Sequence, residues 1–106
     1  PITDDIIVAS GDNPKCYNNV VISKAADTML AMAGIEATFV VARTSDSTVN
    51  ISARSHKTIN VQRIMEKMGG GGHFNLAACQ LRDCSVAQAK NKLIETIMGE
   101  LAPKED

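Results

Sequence analysis

Apolar residues recur along the chain with the period of a strand in some segments and of a helix in others. Ile6–Ala9 is a short apolar run that ends in the polar loop Ser10–Pro14, as strands often do. Ala37–Ala42 is almost continuously β-prone, which is typical of a strand covered on both faces. Thr48–Ser55 alternates apolar and polar residues, so it predicts a strand with two different faces. The polar turn at 43–47 indicates that the last two strands form an antiparallel hairpin.

Two helices are predicted from apolar residues at helical spacing. The first is expected to begin at the capping residue Ser23 and to end at Gly34. The second is expected over Val61–Met68, with Asn60 as its cap. The predicted inner faces are Ala26, Met29, Leu30 and Ala33 in the first helix, and Val61, Ile64, Met65 and Met68 in the second.

The C-terminal third predicts one more strand and one more helix. Ala77–Leu81 is a short strand-like run, and Ser85 with Gln88 forms a capping box that opens an apolar-striped helix. The charged segment from Pro103 onward is expected to be a tail. The order β-α-β-β-α-β-α predicts an α/β fold. We expect a single compact domain over residues 1–106, with a mixed β-sheet and helices packed on it.

Charge and composition narrow the classes of function. The chain has 106 residues, 44% of them apolar, and its 11 basic residues against 12 acidic residues give a net charge of −1. This balance argues against a broad electrostatic surface for nucleic acid or membrane, but it permits a small basic site. No apolar run approaches the roughly 20 residues that span a bilayer. Because the first residue is Pro1, we expect the chain to be an excised C-terminal part of a longer protein.

The three cysteines show no C-x-x-C spacing. Cys16, Cys79 and Cys84 are an odd set, and reduced thiols in a cytosolic protein are the favoured interpretation. A zinc site made from His73, Cys79 and Cys84 stays open as a weaker alternative, since it lacks a fourth ligand.

The glycine run Gly69–Gly72, followed directly by His73, is the strongest candidate for chemistry. One glycine would suffice to end the preceding helix, and four exceed that need. A loop without side chains lets backbone N–H groups turn together toward an anion, and His73 adds a donor. No Gly-Lys-Ser/Thr follows, so this is not a Walker phosphate loop. The run also lies at the negative end of a helix dipole, so a phosphate here needs a cation from elsewhere.

Arg54 is the best candidate for that cation. It lies at the end of the alternating strand, on the same face as Ser52 and next to Ser55, and a guanidinium matches phosphate oxygens bidentately. The alternative is a solvent-facing arginine on an edge strand. The predicted substrate-binding residues are Ser52, Arg54, Ser55, Gly70, Gly71, Gly72 and His73.

No catalytic residue is predicted. The sequence has only two histidines, no H-E-x-x-H motif, no Ser–His–Asp arrangement, and no Asp/His cluster able to hold two metal ions. The chain is therefore expected to bind a phosphorylated ligand without hydrolysing it, and to bind no cofactor of its own.

These motifs resemble the C-terminal DHH-associated domain of the DHH phosphoesterases. The family pattern is Arg-Ser at a strand end, a helix, and Gly-Gly-Gly-His followed by small residues. Here it corresponds to Ile51–Ser55, Gly69–His73 and the pair Ala77 and Ala78. The resemblance covers essentially the whole chain. It departs at Cys79, where many relatives have glycine.

The segments Ala25–Asp27 and Ala37–Val41 are most similar to bacterial cyclic-di-AMP phosphodiesterases. The resemblance implies a hydrolase with a manganese centre in a preceding DHH domain of the same chain. This domain, with Arg54 and Gly70–His73, would then grip a nucleotide or cyclic dinucleotide, or a short oligonucleotide. It also implies a cytoplasmic domain without direct membrane contact, in a parent protein that is membrane-anchored.

Two other interpretations stay open from the sequence. The same domain type occurs in exonucleases and alanyl-tRNA synthetases, so the chain is alternatively a non-catalytic nucleic-acid-binding accessory domain. Its aromatic content of 3% counts against that function, because single strands usually bind on aromatic platforms. A homodimer that pairs through an exposed hairpin edge is the other interpretation, and it is compatible with the first.

Overall fold

The structure is a computed structural model that describes residues 3–11 and 16–102. Three helices cover the two faces of a five-stranded sheet, whose strand order is β1-β2-β3-β5-β4. β1 pairs with β2 in parallel, and every other neighbouring pair is antiparallel. The elements are β1 (Ile6–Ser10), α1 (Asn19–Leu30), β2 (Ala37–Arg43), β3 (Thr48–Ser55), α2 (Val61–Lys67), β4 (Gly71–Gly72), β5 (Leu76–Arg82) and α3 (Val86–Leu101).

The predicted α/β fold with a mixed sheet is confirmed, with one element added. The glycine run, expected to be an open loop, contributes the two-residue strand β4, so the order becomes β-α-β-β-α-β-β-α. The caps at Asn60 and Ser85 are also confirmed. The Asn60 side chain accepts a hydrogen bond from the Arg63 amide, and Ser85 with Gln88 closes a full capping box. The loop residues 12–15 and the tail from Pro103 lie outside the described residues.

The predicted boundaries of the first helix are wrong. α1 begins four residues before Ser23, because the Asn18 side chain accepts a hydrogen bond from the Val20 amide and caps it. The helix ends at Leu30, so Ala33 is not part of it. Ser23 instead lies inside the helix, where its hydroxyl faces the sheet.

The β2–β3 hairpin is confirmed, but it offers no exposed edge. Both strands are interior, since β1 covers β2 and β5 covers β3. The edge that was expected to pair two copies is therefore already paired within the chain.

The two faces of the sheet differ in what covers them. α2 and α3 pack on one face, here called the inner face, and enclose the main apolar core. α1 packs on the opposite, outer face, over β2 and β3, with a small apolar cluster that includes Ile22, Ala26 and Val40. The outer face of β5 stays uncovered, since Leu76, Ala78, Gln80 and Arg82 are all exposed.

Candidate functional site: the outer face of the sheet

Three polar pairs join α1 to β3 on the outer face. Asn50 Nδ2 donates to Asn19 Oδ1 over 2.6 Å. Ser23 Oγ and Ser52 Oγ lie 3.3 Å apart. Arg54 Nε donates to Asp27 Oδ1 over 2.8 Å. The helix therefore meets this face of β3 through a regular series of hydrogen bonds.

The regularity follows from the geometry of the two elements. Four helical residues rise about 6.0 Å, and two strand residues rise about 6.6 Å. Residues at i, i+4 and i+8 on α1 therefore stay level with residues at j, j+2 and j+4 on β3. Both patterns are visible in the sequence, as N-x-x-x-S-x-x-x-D from residue 19 and N-x-S-x-R from residue 50. Sequence reasoning missed Asn19 because the predicted helix began too late, and it missed Asp27 because the pairing of α1 with β3 is visible only in the fold.

Arg54 is held on two sides and is not a surface residue. It is only 9% exposed, and its Nη1 donates to the Ala53 carbonyl oxygen over 3.0 Å while Nε is bound to Asp27. A guanidinium has five N–H donors, so these two bonds leave three, including both on Nη2. The alternative of a solvent-facing arginine on an edge strand is wrong, because β3 is interior. Because the Arg54 guanidinium is already held in one position, binding an anion would cost little further side-chain entropy.

The first glycine of the run ends α2. Gly69 has φ +92°, in the region that favours glycine, and its amide donates to the Glu66 carbonyl oxygen over 3.1 Å. The Gly70 amide donates to the Met65 carbonyl oxygen over 2.8 Å. These two bonds form a Schellman cap, which accounts for Gly69 by backbone conformation alone.

Gly70 and Gly72 are required by close packing against β5. A Cβ on Gly70 would lie 2.1 Å from the Ala78 carbonyl oxygen, and a Cβ on Gly72 would lie 2.5 Å from the Ala77 Cα. Gly72 also has φ +146°. Both positions therefore exclude any side chain for structural reasons.

Gly71 is the glycine that the fold does not explain. A Cβ built on it would meet nothing within 4 Å, and its φ is not in the positive region. It pairs with Ala78, which pairs in turn with Ser52, so the three lie in one row across the outer face. This row has small side chains, which leaves the backbone of β4 and β5 open to a ligand there.

His73 stands in the next row, together with Arg54. The amides and carbonyl oxygens of His73 and Leu76 exchange hydrogen bonds of 2.7 and 3.3 Å, and Leu76 pairs with Arg54. Directly opposite residues in an antiparallel ladder share a face, and strands lie about 4.8 Å apart. The Cα atoms of Arg54 and His73 are therefore about 10 Å apart, with Leu76 between them. The same alternation turns the Gly72 amide away from β5, toward the sheet edge.

Ser55 is not brought into this row. Strand alternation turns its side chain to the inner face, where its hydroxyl donates to the Phe74 carbonyl oxygen over 3.1 Å. The Asn75 side chain donates to the Ser55 carbonyl oxygen over 3.1 Å and also to that of His56. Ser55 and Asn75 thus fix the turn that carries His73. Ser55 is therefore a positioning residue for this turn.

Two concavities border these residues. A groove of about 340 Å³ follows α1 and is lined by Asn19, Val20, Ser23, Lys24 and Asp27. A larger cavity of about 490 Å³ lies at the C-terminal end of α1, but it holds none of the predicted binding residues. We take the groove as part of the site because its wall is the helix side that bonds Asn50, Ser52 and Arg54.

Within residues 3–11 and 16–102, no group of three or more His, Cys, Asp or Glu side chains could hold a metal ion. The weaker zinc interpretation fails on placement, since Cys79 is buried on the inner face while His73 is exposed on the outer one. All three cysteines are free. Burial raises the pKa of the Cys79 thiol, while the nearby charge of Lys92 lowers it to a smaller extent. Its Sγ lies 3.2 Å from the Met68 carbonyl oxygen, to which the thiol donates.

The sequence of this domain matches a known family along most of its length. The model of the DHHA1 domain matches residues 4–102 of the chain. The chain belongs to the DHHA1 family. Cyclic-di-AMP phosphodiesterase PdeA of Listeria monocytogenes is 47% identical over 89% of this chain, which corresponds to 14% of that protein. Cyclic-di-AMP phosphodiesterase GdpP of Bacillus subtilis is 45% identical over 89% of this chain and 15% of its own length.

This DHHA1 chain thus spans about one seventh of the curated relatives it matches. Solved structures show the same fold at low identity. The C-Ala domain of Aquifex aeolicus alanyl-tRNA synthetase has a TM-score of 0.59 at 16% identity, covering 87% of both chains. A pGpG-specific phosphodiesterase of Vibrio cholerae, PggH, has a TM-score of 0.59 at 15% identity, covering 92% of this chain and 34% of its own. In the part of the chain that the structure describes, no helix is long and apolar enough to cross a membrane.

Proposed function

We propose that this DHHA1 domain grips the phosphate of a nucleotide or cyclic dinucleotide for a DHH-family phosphodiesterase. The observation that carries the proposal is the row Arg54–Leu76–His73 on the outer face, beside the row Ser52–Ala78–Gly71. Both rows begin under α1 on β3 and continue onto the uncovered part of the face on β5. The first row supplies hydrogen-bond donors for the phosphate, and the small residues of the second row leave space for the rest of the ligand. A phosphoryl group between Arg54 and His73 would meet a fixed guanidinium fork on one side and an imidazole on the other.

The relatives support the class of reaction. Proteins that are 45% and 47% identical to this chain are named cyclic-di-AMP phosphodiesterases. Their matched segments are a minor part of each protein, and we propose that the residues for hydrolysis lie elsewhere in such a protein. We propose that a preceding DHH domain holds the catalytic metal, with manganese as the expected ion, and that the parent protein is membrane-anchored with this domain in the cytoplasm.

The described residues do not fit a catalytic metal site of their own, as they offer no cluster of ligands. In this proposal the chain binds, orients and holds the ligand. Arg54 fixes the phosphoryl group, and His73 contacts it from the hairpin. Asp27 keeps the guanidinium in place through Nε, and the small row beside it admits the remainder of the ligand.

The test is a titration of the chain with ribose 5-phosphate, followed by NMR. Affinity is expected to be weak, since the chain would supply only one wall of the complete site. Arg54→Ala should weaken binding about tenfold or more, as for a lost charged hydrogen bond, and His73→Ala by about threefold to tenfold. Arg63→Ala is the matched control, because it removes the same charge from α2 on the opposite face, where Arg63 bonds Glu100.

Equal affinity for the Arg54, His73 and Arg63 variants would reject the proposal. Because Arg54 is buried, its variant needs a check of folding; His73 is exposed, so its variant carries the test by itself if the other is unstable. Tight, steeply salt-dependent binding of single-stranded oligonucleotides, with no response to either substitution, would favour the accessory nucleic-acid-binding function instead.

A further inference from the structure

A second cluster of polar side chains lies on the outer face, at the end farthest from His73. Gln80 Nε2 donates to Asn50 Oδ1 over 3.3 Å, and the Thr44 hydroxyl donates to the same oxygen over 3.0 Å. Asn50 Nδ2 donates to Asn19 Oδ1 over 2.6 Å. Three amides from three elements are thus joined through Asn50, which we call the amide cluster (Asn19, Asn50 and Gln80).

The amide cluster has hydrogen-bonding atoms that could bind a ligand. An amide side chain has two donors and one acceptor group. Gln80 uses one N–H on Asn50, so its Oε1 and its second N–H have no protein partner among the described residues. Gln80 is exposed, and Asn50 holds it in place. A donor beside an acceptor on a positioned amide is the arrangement that binds the edge of adenine bidentately.

The spacing relates this cluster to the phosphate row. Gln80 pairs with Asn50, and Leu76 pairs with Arg54, so the two rows are four residues apart on each strand. At about 3.3 Å per residue the rows are about 13 Å apart, a distance that a nucleotide would span together with the side chains of Arg54 and Gln80. Between them lie Ala78 and Gly71, which offer no side chain that would obstruct a ribose.

We propose that the amide cluster is a nucleobase subsite, in which Gln80 reads the edge of a purine base while the phosphate lies at Arg54 and His73. This inference rests on the proposed function, since it takes the phosphate position from it. Asn50 acts as a positioning residue, because it orients Gln80 and Asn19 and has its own amide engaged by them. The groove along α1 would lie beside the ribose, with Ser23 and Ser52 between the two ends.

The experiment compares adenosine 5′-monophosphate with ribose 5-phosphate as probes of the chain by NMR titration. Adenosine 5′-monophosphate should bind about fivefold more tightly, because two hydrogen bonds to the base are added. Gln80→Ala should abolish this ratio and leave the affinity for ribose 5-phosphate unchanged. Gln62→Ala is the matched control, since Gln62 is a residue of α2 that bonds Glu66 and lies far from the outer face. Gln80→Glu, which replaces the donor by an acceptor, should also lose the preference.

Equal affinity for the two probes, or a preference that survives Gln80→Ala, would overturn the subsite while leaving the phosphate row intact. Failure of the proposed function looks different, since neither probe would then respond to Arg54→Ala or His73→Ala. Because Gln80 is exposed, its variants are expected to fold, so a null result counts against the subsite.

Discussion

The two faces of the β3–β5 strand pair belong to the same strands but are stabilised by different interactions. On the inner face Val49, Ile51 and Ala53 meet Ala77 and Cys79 in an apolar core under α2 and α3. On the outer face Asn50, Ser52 and Arg54 are joined to α1 by hydrogen bonds, and the neighbouring residues of β5 are open. One face is specified by packing and the other by polar partners.

The difference shows how a small domain separates stability from binding. The inner face can be filled with apolar groups because no ligand has to bind there. The outer face keeps polar atoms available, and their cost of burial is offset by one partner each on α1. Substitutions on the two faces should therefore have different consequences.

Ile51→Ala should have the largest effect, because it removes a fully buried side chain from the inner face. The expected loss is about 2–5 kcal/mol in the free energy of unfolding, from lost burial and the cavity that remains. Urea denaturation measures it. The neighbouring Ser52→Ala is the matched variant, and it should cost about 1 kcal/mol or less, since it removes one 3.3 Å hydrogen bond. Similar losses for the two would show that the faces are not built differently.

Gly70→Ala should destabilise the chain by about 1–3 kcal/mol, because the new Cβ has no room against β5. Gly71→Ala should change the free energy of unfolding by no more than about 0.5 kcal/mol, as its Cβ would point into open space. Thermal unfolding of the two variants distinguishes them. A larger residue, Gly71→Leu, should leave the fold intact and weaken binding of ribose 5-phosphate. Destabilisation by Gly71→Ala would mean that the glycine is structural after all.

Asp27→Asn should cost about 1 kcal/mol, because it weakens the ion pair that holds the buried Arg54. The carboxylate side chain is 62% exposed, so solvent screens the pair and limits the effect. Urea denaturation is again the measurement. Glu95→Gln on the exposed side of α3 is the control, and it should be close to neutral. A neutral Asp27→Asn would show that the negative charge of Asp27 does not contribute to holding Arg54.

The smallest effect concerns pH and the Cys79 thiol. Its pKa is raised mainly by burial, so folding favours the protonated form. Below the ordinary thiol pKa, about 8.5, this contribution to stability is fully present, and it is lost as the pH rises through the higher pKa of the folded state. The free energy of unfolding should therefore fall above about pH 8.5, and the fall should be shallower in Cys79→Ala. An identical slope in both proteins would contradict this assignment.

Most of the fold was predictable because it depends on local periodicity. Strand β3 and the caps Asn60 and Ser85 were predicted as found, since alternation and capping need only neighbouring residues. The start of α1 was not, because Ser23 and Asn18 are both good caps and only the sheet decides between them. β4 was missed because a glycine run carries no strand propensity and pairs only through close contact with β5.

The candidate site was predictable in its residue types but not in its arrangement. Arg54 and His73 were singled out together, yet their common row depends on the register between β3 and β5, which no local pattern determines. Ser55 is turned away from Arg54 by the alternation of side chains along β3. Asp27 was missed although its spacing on α1 matches that of β3, because the match becomes visible only when the helix and strand are placed side by side.

The methyl groups of two adjacent alanines report separately on the two faces of the sheet. Ala77 lies on the inner face in the core, and Ala78 lies on the outer face between Ser52 and Gly71. In a ¹³C methyl NMR titration with adenosine 5′-monophosphate, the Ala78 methyl signal should shift together with those of Leu76, while the Ala77 signal should stay in place. A shift of Ala77 without Ala78, or no shift at either alanine under saturating ligand, would contradict a binding site on the outer face.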